Sequence, residues 1–188
     1  MNQQIGDFLI RDWRRDDAAS VARYANNRKI WINLRDAFPY PYGLQDAEFF
    51  IAQVLDADPQ TVFAIATPSD AIGSIGLLMG RDVHRYTAEI GYWLGEPFWG
   101  RGIMTRAVRA LTDYGIRQWN LQRIYAEPYA TNQASVRVLE KAGYQCEGTL
   151  RASAFKDGRV LDQYLYSYVA EMGPDGRSGR RGAPFSAD

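Results

Sequence analysis

The feature that most constrains this 188-residue chain is a strand–helix–strand unit in its middle. Thr87-Ala88-Glu89-Ile90-Gly91-Tyr92-Trp93-Leu94 reads as a strand, and Gly95 to Gly102 is a glycine-rich turn. Ile103 to Trp119 carries Ala107, Val108, Leu111, Tyr114 and Gly115 at three-and-four spacing, the period of a helix with one buried face. Arg123 to Glu127 is a second strand, ended by Pro128. Such a unit joins parallel strands by a right-handed crossover. Ligands of open α/β sheets gather at the carboxyl ends of these strands. The glycine turn lies there.

The flanking sequence extends this unit into one mixed sheet. Phe8 to Arg11 is a short strand, and Ala18, Val21, Ala22 and Ala25 follow at helical spacing behind Asp16 or Asp17 as N-cap. Arg35 to Gly43 contains Pro39 and Pro41 and reads as a loop. A helix from Asp46 to Leu55 offers Phe49, Phe50, Val54 and Leu55 to a core. Thr61–Thr67 and Ile72–Met79 form a hairpin. Asn132 to Ala142 is a helix with Gly143 as its exit. Strands over Tyr144–Arg151 and Leu161–Val169 flank Asp157-Gly158, a strong hairpin-turn pair. The expected fold class is α/β (α+β): a mostly antiparallel, roughly seven-stranded sheet with about four helices and one parallel pair. Residues 1–172 are expected to form one domain, and the Gly-, Pro- and Arg-rich residues 173–188 a disordered tail.

The glycine turn has its own chemistry. A helix N-terminus presents unpaired N–H groups and a partial positive charge, which suits an anion. Gly100 and Gly102 remove side chains where a phosphate would approach, and Thr105 adds a hydroxyl in the first helical turn. Each hydrogen bond to a charged group contributes about 1.5–3 kcal/mol, so several hold a pyrophosphate without a lysine. The plainer alternative is a simple strand-to-helix loop. Neither the Gly-x-x-x-x-Gly-Lys-Ser/Thr spacing nor Gly-x-Gly-x-x-Gly after a first strand is present, which argues against nucleotide-hydrolase and dinucleotide loops.

Charge and cysteine content narrow the function further. With 22 basic and 22 acidic side chains the formal net charge is +0, which argues against nucleic-acid binding by bulk electrostatics. A single cysteine, Cys146, excludes an intramolecular disulfide or a cysteine–zinc cluster and reads as a small buried apolar residue; no metal site is expected. No apolar stretch approaches the roughly 20 residues that span a bilayer. The first ten residues lack signal-peptide character, so a cytoplasmic protein without a membrane role is expected. His84, the one histidine, is expected on a surface turn.

Ala88-Glu89-Ile90-Gly91-Tyr92-Trp93-Leu94-Gly95-Glu96-Pro97-Phe98-Trp99-Gly100-Arg101-Gly102-Ile103-Met104-Thr105 resembles the core motif of the GNAT superfamily of N-acetyltransferases, in its RimJ/RimL-like branch of ribosomal-protein N-acetyltransferases. Asn132-Gln133-Ala134-Ser135, continuing to Gly143-Tyr144, is similar to that branch's Asn-x-x-Ser helix. Pro97 stands at the first position of the Gln/Arg-x-x-Gly-x-Gly/Ala pattern, and Arg106 where an acidic residue is common; Arg106 would be suited to the 3′-phosphate of coenzyme A. The resemblance implies acetyl-CoA as cosubstrate. Its arm would pair with the backbone of Tyr92, Trp93 and Leu94, and its pyrophosphate would sit on Trp99, Gly100, Arg101, Gly102, Ile103, Met104 and Thr105. Asn132 would bond the cofactor's amide arm, and Ser135 would lie near the sulfur.

The implied reaction is direct attack of an amine on the thioester, without an acyl-enzyme. Glu89, a lone carboxylate in an apolar strand, is the candidate base, its pKa raised by burial; alternatively it faces solvent or an ion-pair partner. Ser135 is the candidate thiol proton donor, or else a helix cap. An α-amine (pKa about 7.7–8.0) is about 3.5 kcal/mol easier to neutralise at pH 7 than lysine (about 10.4), which favours a protein N-terminus or another low-pKa amine. The loop Trp31–Tyr42 and the hairpin Phe155–Tyr164 are expected as acceptor walls, with Asp36, Asp46 and Asp162 available to attract a cation. An aminoglycoside or polyamine acetyltransferase and a non-catalytic acyl-CoA sensor remain alternatives, and a homodimer is left open.

Overall fold

Residues 1–171 are described by the computed structural model; the expected tail lies outside the described residues. The strands are Asn2–Ile5 (β1), Phe8–Arg11 (β2), Val62–Ala66 (β3), Ala71–Met79 (β4), Thr87–Leu94 (β5), Arg123–Ala126 (β6), Gln145–Lys156 (β7) and Arg159–Val169 (β8). The helices are Ala18–Ala25 (α1), Arg28–Trp31 (α2), Leu44–Leu55 (α3), Ile103–Trp119 (α4) and Gln133–Lys141 (α5). One sheet runs β1-β2-β3-β4-β5-β6-β8-β7, and only β5–β6 is parallel. This is the expected mixed, mostly antiparallel architecture, with one more strand and one more helix. β1 is hidden because three of its four residues are Asn or Gln, so no apolar alternation marks it. α2 is a single turn, too short to carry a period, and begins where Asn27 Oδ1 accepts the Lys29 N–H at 2.9 Å.

Strand alternation divides the interior in two. Phe63 and Ile65 face a core shared with Ile103, Leu111, Ile124 and Leu139, so α4 and α5 cover that side. Ala64 faces the other, with Trp13, Val21, Ala47, Ile51 and Trp93, under α1 and α3. Leu111 and Ile124 are fully buried, each stabilising the fold by about 1.5–3 kcal/mol relative to exposure. At Gly115 a Cβ would stand 2.8 Å from Leu77 Cδ1, so α4 rests directly on the sheet there.

Three local expectations are corrected. Asp17 sits at the N-cap position of α1, but its side chain accepts no N–H of that helix. Its buried carboxylate instead accepts two bonds from Arg11, both 2.7 Å, and one from the Arg14 N–H at 2.9 Å, because a buried guanidinium must be paired. Phe49 is 66% exposed, and α3 buries Ala47, Ile51 and Val54 in its place. Cys146 is exposed, not buried, since β7 is the outermost strand. The Asp157-Gly158 turn has φ +51° and +75°, as a two-residue hairpin requires. Among the described residues, no helix is long and apolar enough to cross a membrane.

Candidate active site

The two parallel strands part company soon after they meet. β5 pairs with β6 only at Thr87↔Arg123, Ala88↔Ile124 and Glu89↔Tyr125, whereas its pairing with β4 continues to Leu94↔Gly73. From Ile90 to Leu94, then, one edge of β5 has no strand partner. The chain after β6 is drawn toward β8 instead. Tyr164 N–H donates to Pro128 O (3.0 Å), Ala130 N–H to Asp162 O (2.9 Å) and Gln163 Nε2 to Glu127 O (2.7 Å). Two cavities, of about 590 and 790 Å³, meet at this open stretch and share Leu34, Tyr92, Trp93 and Ser135.

Tyr92, Trp93, Leu94, the whole run Trp99 to Thr105, Asn132 and Ser135 all line the 590 Å³ cavity. Gly100 and Gly102 have φ of +74° and +68°, a left-handed conformation that side chains disfavour. Gly102 is the N-cap of α4, and the first intrahelical bond is Arg106 N–H to Gly102 O (3.2 Å). The N–H groups of Ile103, Met104 and Thr105 therefore have no helical acceptor, while the Ile103 and Met104 side chains are buried in the core. That is a main-chain cradle with positive potential, and it fits the diphosphate of a coenzyme. Trp99 Nε1 donates to Leu94 O at 2.6 Å, folding the turn back on the end of β5. Glu96, held below the usual carboxylate range by Lys29 and by Asn27, clips α2 to the same turn. Arg106 does not line the cavity. Its guanidinium lies over Gly6 and donates to Arg101 O at 3.3 Å.

At the N-terminus of α5 the cap is Asn132, whose Oδ1 accepts the Ser135 N–H at 3.1 Å. The Ser135 hydroxyl is left to the Tyr92 phenol, 2.8 Å away. Burial pushes the Tyr92 pKa well up, with Ser135 partly offsetting it, so the phenol stays protonated. Selected in the sequence for its backbone, Tyr92 thus has a side chain in the site as well. No sequence signal links it to Ser135, 43 positions on.

Glu89 lines the adjoining cavity, where its Oε1 accepts from Arg35 Nη2 at 2.5 Å; the Glu89 side chain is 16% exposed and that of Arg35 63%. Glu127 lines the same wall, and its pKa is raised by burial and by the nearby Glu89, against the opposing pull of Arg35. The sequence reading missed Glu127. The available signal was register: Tyr125 pairs with Glu89, so Glu127, two residues on, shares its face. The loop wall is as expected, with Leu34, Arg35, Phe38 and Tyr42, but the opposite wall is α3, through Asp46, Phe49, Phe50 and Gln53, not the β7–β8 hairpin. The hairpin braces the loop from behind. Lys156 Nζ donates to Asp36 at 2.8 Å and lies 4.0 Å from the Trp31 ring centre, and Arg28 pairs with Asp157. Asp162 accepts the Ala152 N–H at 2.7 Å. His84 is exposed in a 3-10 turn. Among the described residues, no group of three metal-ligating side chains occurs.

Known proteins share both the sequence pattern and the architecture. The chain is 40% identical over 100 residues to the uncharacterized N-acetyltransferase p20 of Bacillus licheniformis, covering 53% of this chain and 56% of that protein. It is 38% identical over 123 residues to the probable N-acetyltransferase YjcK of Bacillus subtilis, covering 64% and 66%. The match thus spans less than two thirds of these two relatives. Spermidine N(1)-acetyltransferase of Escherichia coli is 24% identical over 176 residues, 90% of this chain and 92% of that one. Among solved structures, the ribosomal α-N-protein acetyltransferase RimL in complex with coenzyme A superposes with a TM-score of 0.80 at 19% identity, covering 90% of this chain and 98% of RimL. Mycobacterium smegmatis RimJ gives 0.76 at 24%, covering 89% and 84%. The self immunity acetyltransferase MccE, with acetyl-CoA and AMP, gives 0.75 at 24%, covering 88% and 93%. These likenesses show the fold. A family model described as an acetyltransferase (GNAT) domain matches residues 7–145, most of the chain and most of the cleft, and this chain belongs to the GNAT acetyltransferase family.

Proposed function

We propose that this protein is an acetyl-CoA-dependent N-acetyltransferase that acts on a primary amine of low pKa. The observation that carries the reading is the unpaired edge of β5 between Ile90 and Leu94, with an anion cradle at one end and a cavity bearing two carboxylates beside it. The main chain of Trp99 to Thr105 would hold the diphosphate, Asn132 and the β5 edge would hold the thin amide arm, and Ser135 would sit near the sulfur. When bound, acetyl-CoA supplies the activated acetyl group. Glu127, lifted by burial, accepts the proton that the incoming ammonium must lose. Glu89, held by Arg35, sets a second carboxylate beside it. Tyr92 and Ser135, joined by their hydrogen bond, would relay the second proton lost by the nitrogen to the leaving thiolate, the phenol giving one proton and regaining one. An N–H of the β5 edge stabilises charge on the carbonyl oxygen.

RimL, by its name a modifier of ribosomal protein, and the spermidine enzyme stand for two acceptor chemistries. The cost of neutralising the amine favours an α-amine over a lysine-like one. The test is steady thiol release from acetyl-CoA with a panel of peptide N-termini, polyamines and aminoglycosides. Release with at least one amine is expected. Tight coenzyme binding without turnover on any amine would replace this reading with a sensor.

A further inference from the structure

Charge is distributed unevenly over the acceptor cavity. Glu89, paired with Arg35, and Glu127 stand together on its wall, near enough for Glu89 to raise the Glu127 pKa. The remainder of the wall is mostly apolar and aromatic, built on Phe38, Phe49 and Phe50. Phe49 and Leu78 are 66% and 64% exposed, yet both line this cavity. α3 does not need Phe49 for packing, because it buries Ala47, Ile51 and Val54. Large exposed apolar side chains at the rim of a concavity mark a ligand surface. Farther out, the acidic groups are already engaged. Asp46 accepts the Gly43 N–H at 2.7 Å, Asp36 is taken by Lys156 and Asp162 by the Ala152 N–H, and neither Asp36 nor Asp162 lines the cavity. Arg35 adds a fixed positive charge to the wall.

We propose that the acceptor is a primary amine carried on an apolar body of about ring size, such as an N-terminal aromatic or large aliphatic residue or an arylalkylamine, and not a polycation. This rests on the acetyl-transfer reading of the same site. One ammonium finds Glu89 and Glu127. A second, farther along the molecule, would lose water against phenyl rings with only Asp46, already accepting the Gly43 N–H, to meet it, and would stand near Arg35. An apolar body gains from the same rings.

The experiment compares phenethylamine, a dipeptide amide beginning with Phe, spermidine and an aminoglycoside. It reads kcat/KM from thiol release, and equilibrium binding to the coenzyme A-loaded protein by calorimetry. Both apolar amines are expected to exceed the polycations by about tenfold or more in both readouts, the scale of discrimination that apolar pockets reach. The better of the two identifies a peptide or a free amine as the natural form. Phe49→Asp, at an exposed position, is expected to raise KM for the apolar amines by about tenfold and to lower it for spermidine. A polycation that equals or outperforms both apolar amines, or a preference unmoved by Phe49→Asp in a variant of unchanged melting temperature, would overturn the proposal. Preferential binding of the apolar amines without thiol release would instead sink the acetyl-transfer reading and leave the cavity's preference standing.

Discussion

Two carboxylates on one cavity wall cannot both hold charge cheaply unless a cation stands beside one, and Arg35 stands beside Glu89. Glu127 then carries the burden, its pKa raised by burial and by its neighbour's charge. A base works only when deprotonated, so kcat is expected to fall as pH drops through the raised Glu127 pKa. Glu127→Gln should remove that acidic limb and lower kcat by about 10²–10⁴ with little change in coenzyme affinity. Glu89→Gln removes the charge that lifts Glu127 and frees Arg35 to approach it, so the limb should move to lower pH. Rate profiles over pH for both variants check this, and an unmoved limb in Glu89→Gln contradicts the coupling. Glu89 was legible as the one carboxylate in an apolar strand. Arg35, 54 positions away, and the Tyr92–Ser135 pair were not, because only tertiary packing brings them together.

Where sequence carried a period or a required backbone conformation, the elements were legible to the residue: Thr87–Leu94 and Ile103–Trp119 are the strand and helix expected. Between them, Gly102 at φ +68° both caps α4 and opens the cradle. Gly102→Asp would strain this conformation and set a negative charge in the cradle proposed for the diphosphate. Loss of one or two charge-assisted bonds at about 1.5–3 kcal/mol each predicts coenzyme affinity reduced at least tenfold, measured by calorimetry. Gly102→Asn, of nearly the same bulk and backbone preference as Asp, separates the effect of charge from those of bulk and strain. Illegible were the polar edge strand β1, the single turn α2 and the full reach of the β7–β8 hairpin. β7 is bulged and exposed along most of its length, so its ends carry no alternating pattern.

Across the whole molecule, balanced charge leaves acid stability to particular pairs. Glu147 on β7 accepts from Arg123 on β6 and from Ser167 on β8, and these hold its pKa down to about 2. A carboxyl whose folded pKa is depressed stabilises above its unfolded pKa, about 4.3, and loses that contribution as pH falls toward the folded value. The pair is about a third exposed and screened by solvent, so Glu147→Gln should cost only about 1 kcal/mol or less at pH 7, and the gap to the parent should close near pH 2. Denaturant melts at the two pH values test it. Sheet class, the parallel crossover and the cavity at the glycine turn followed from local pattern; the adjoining cavity did not, because it is assembled from a loop, α3 and two strand ends distant in sequence. The most direct test of the account is a crystal structure of the protein with acetyl-CoA. The account predicts the diphosphate on the main-chain N–H groups between Trp99 and Thr105 and the acyl arm along Tyr92 to Leu94; a ligand bound elsewhere, with that cradle empty, would contradict it.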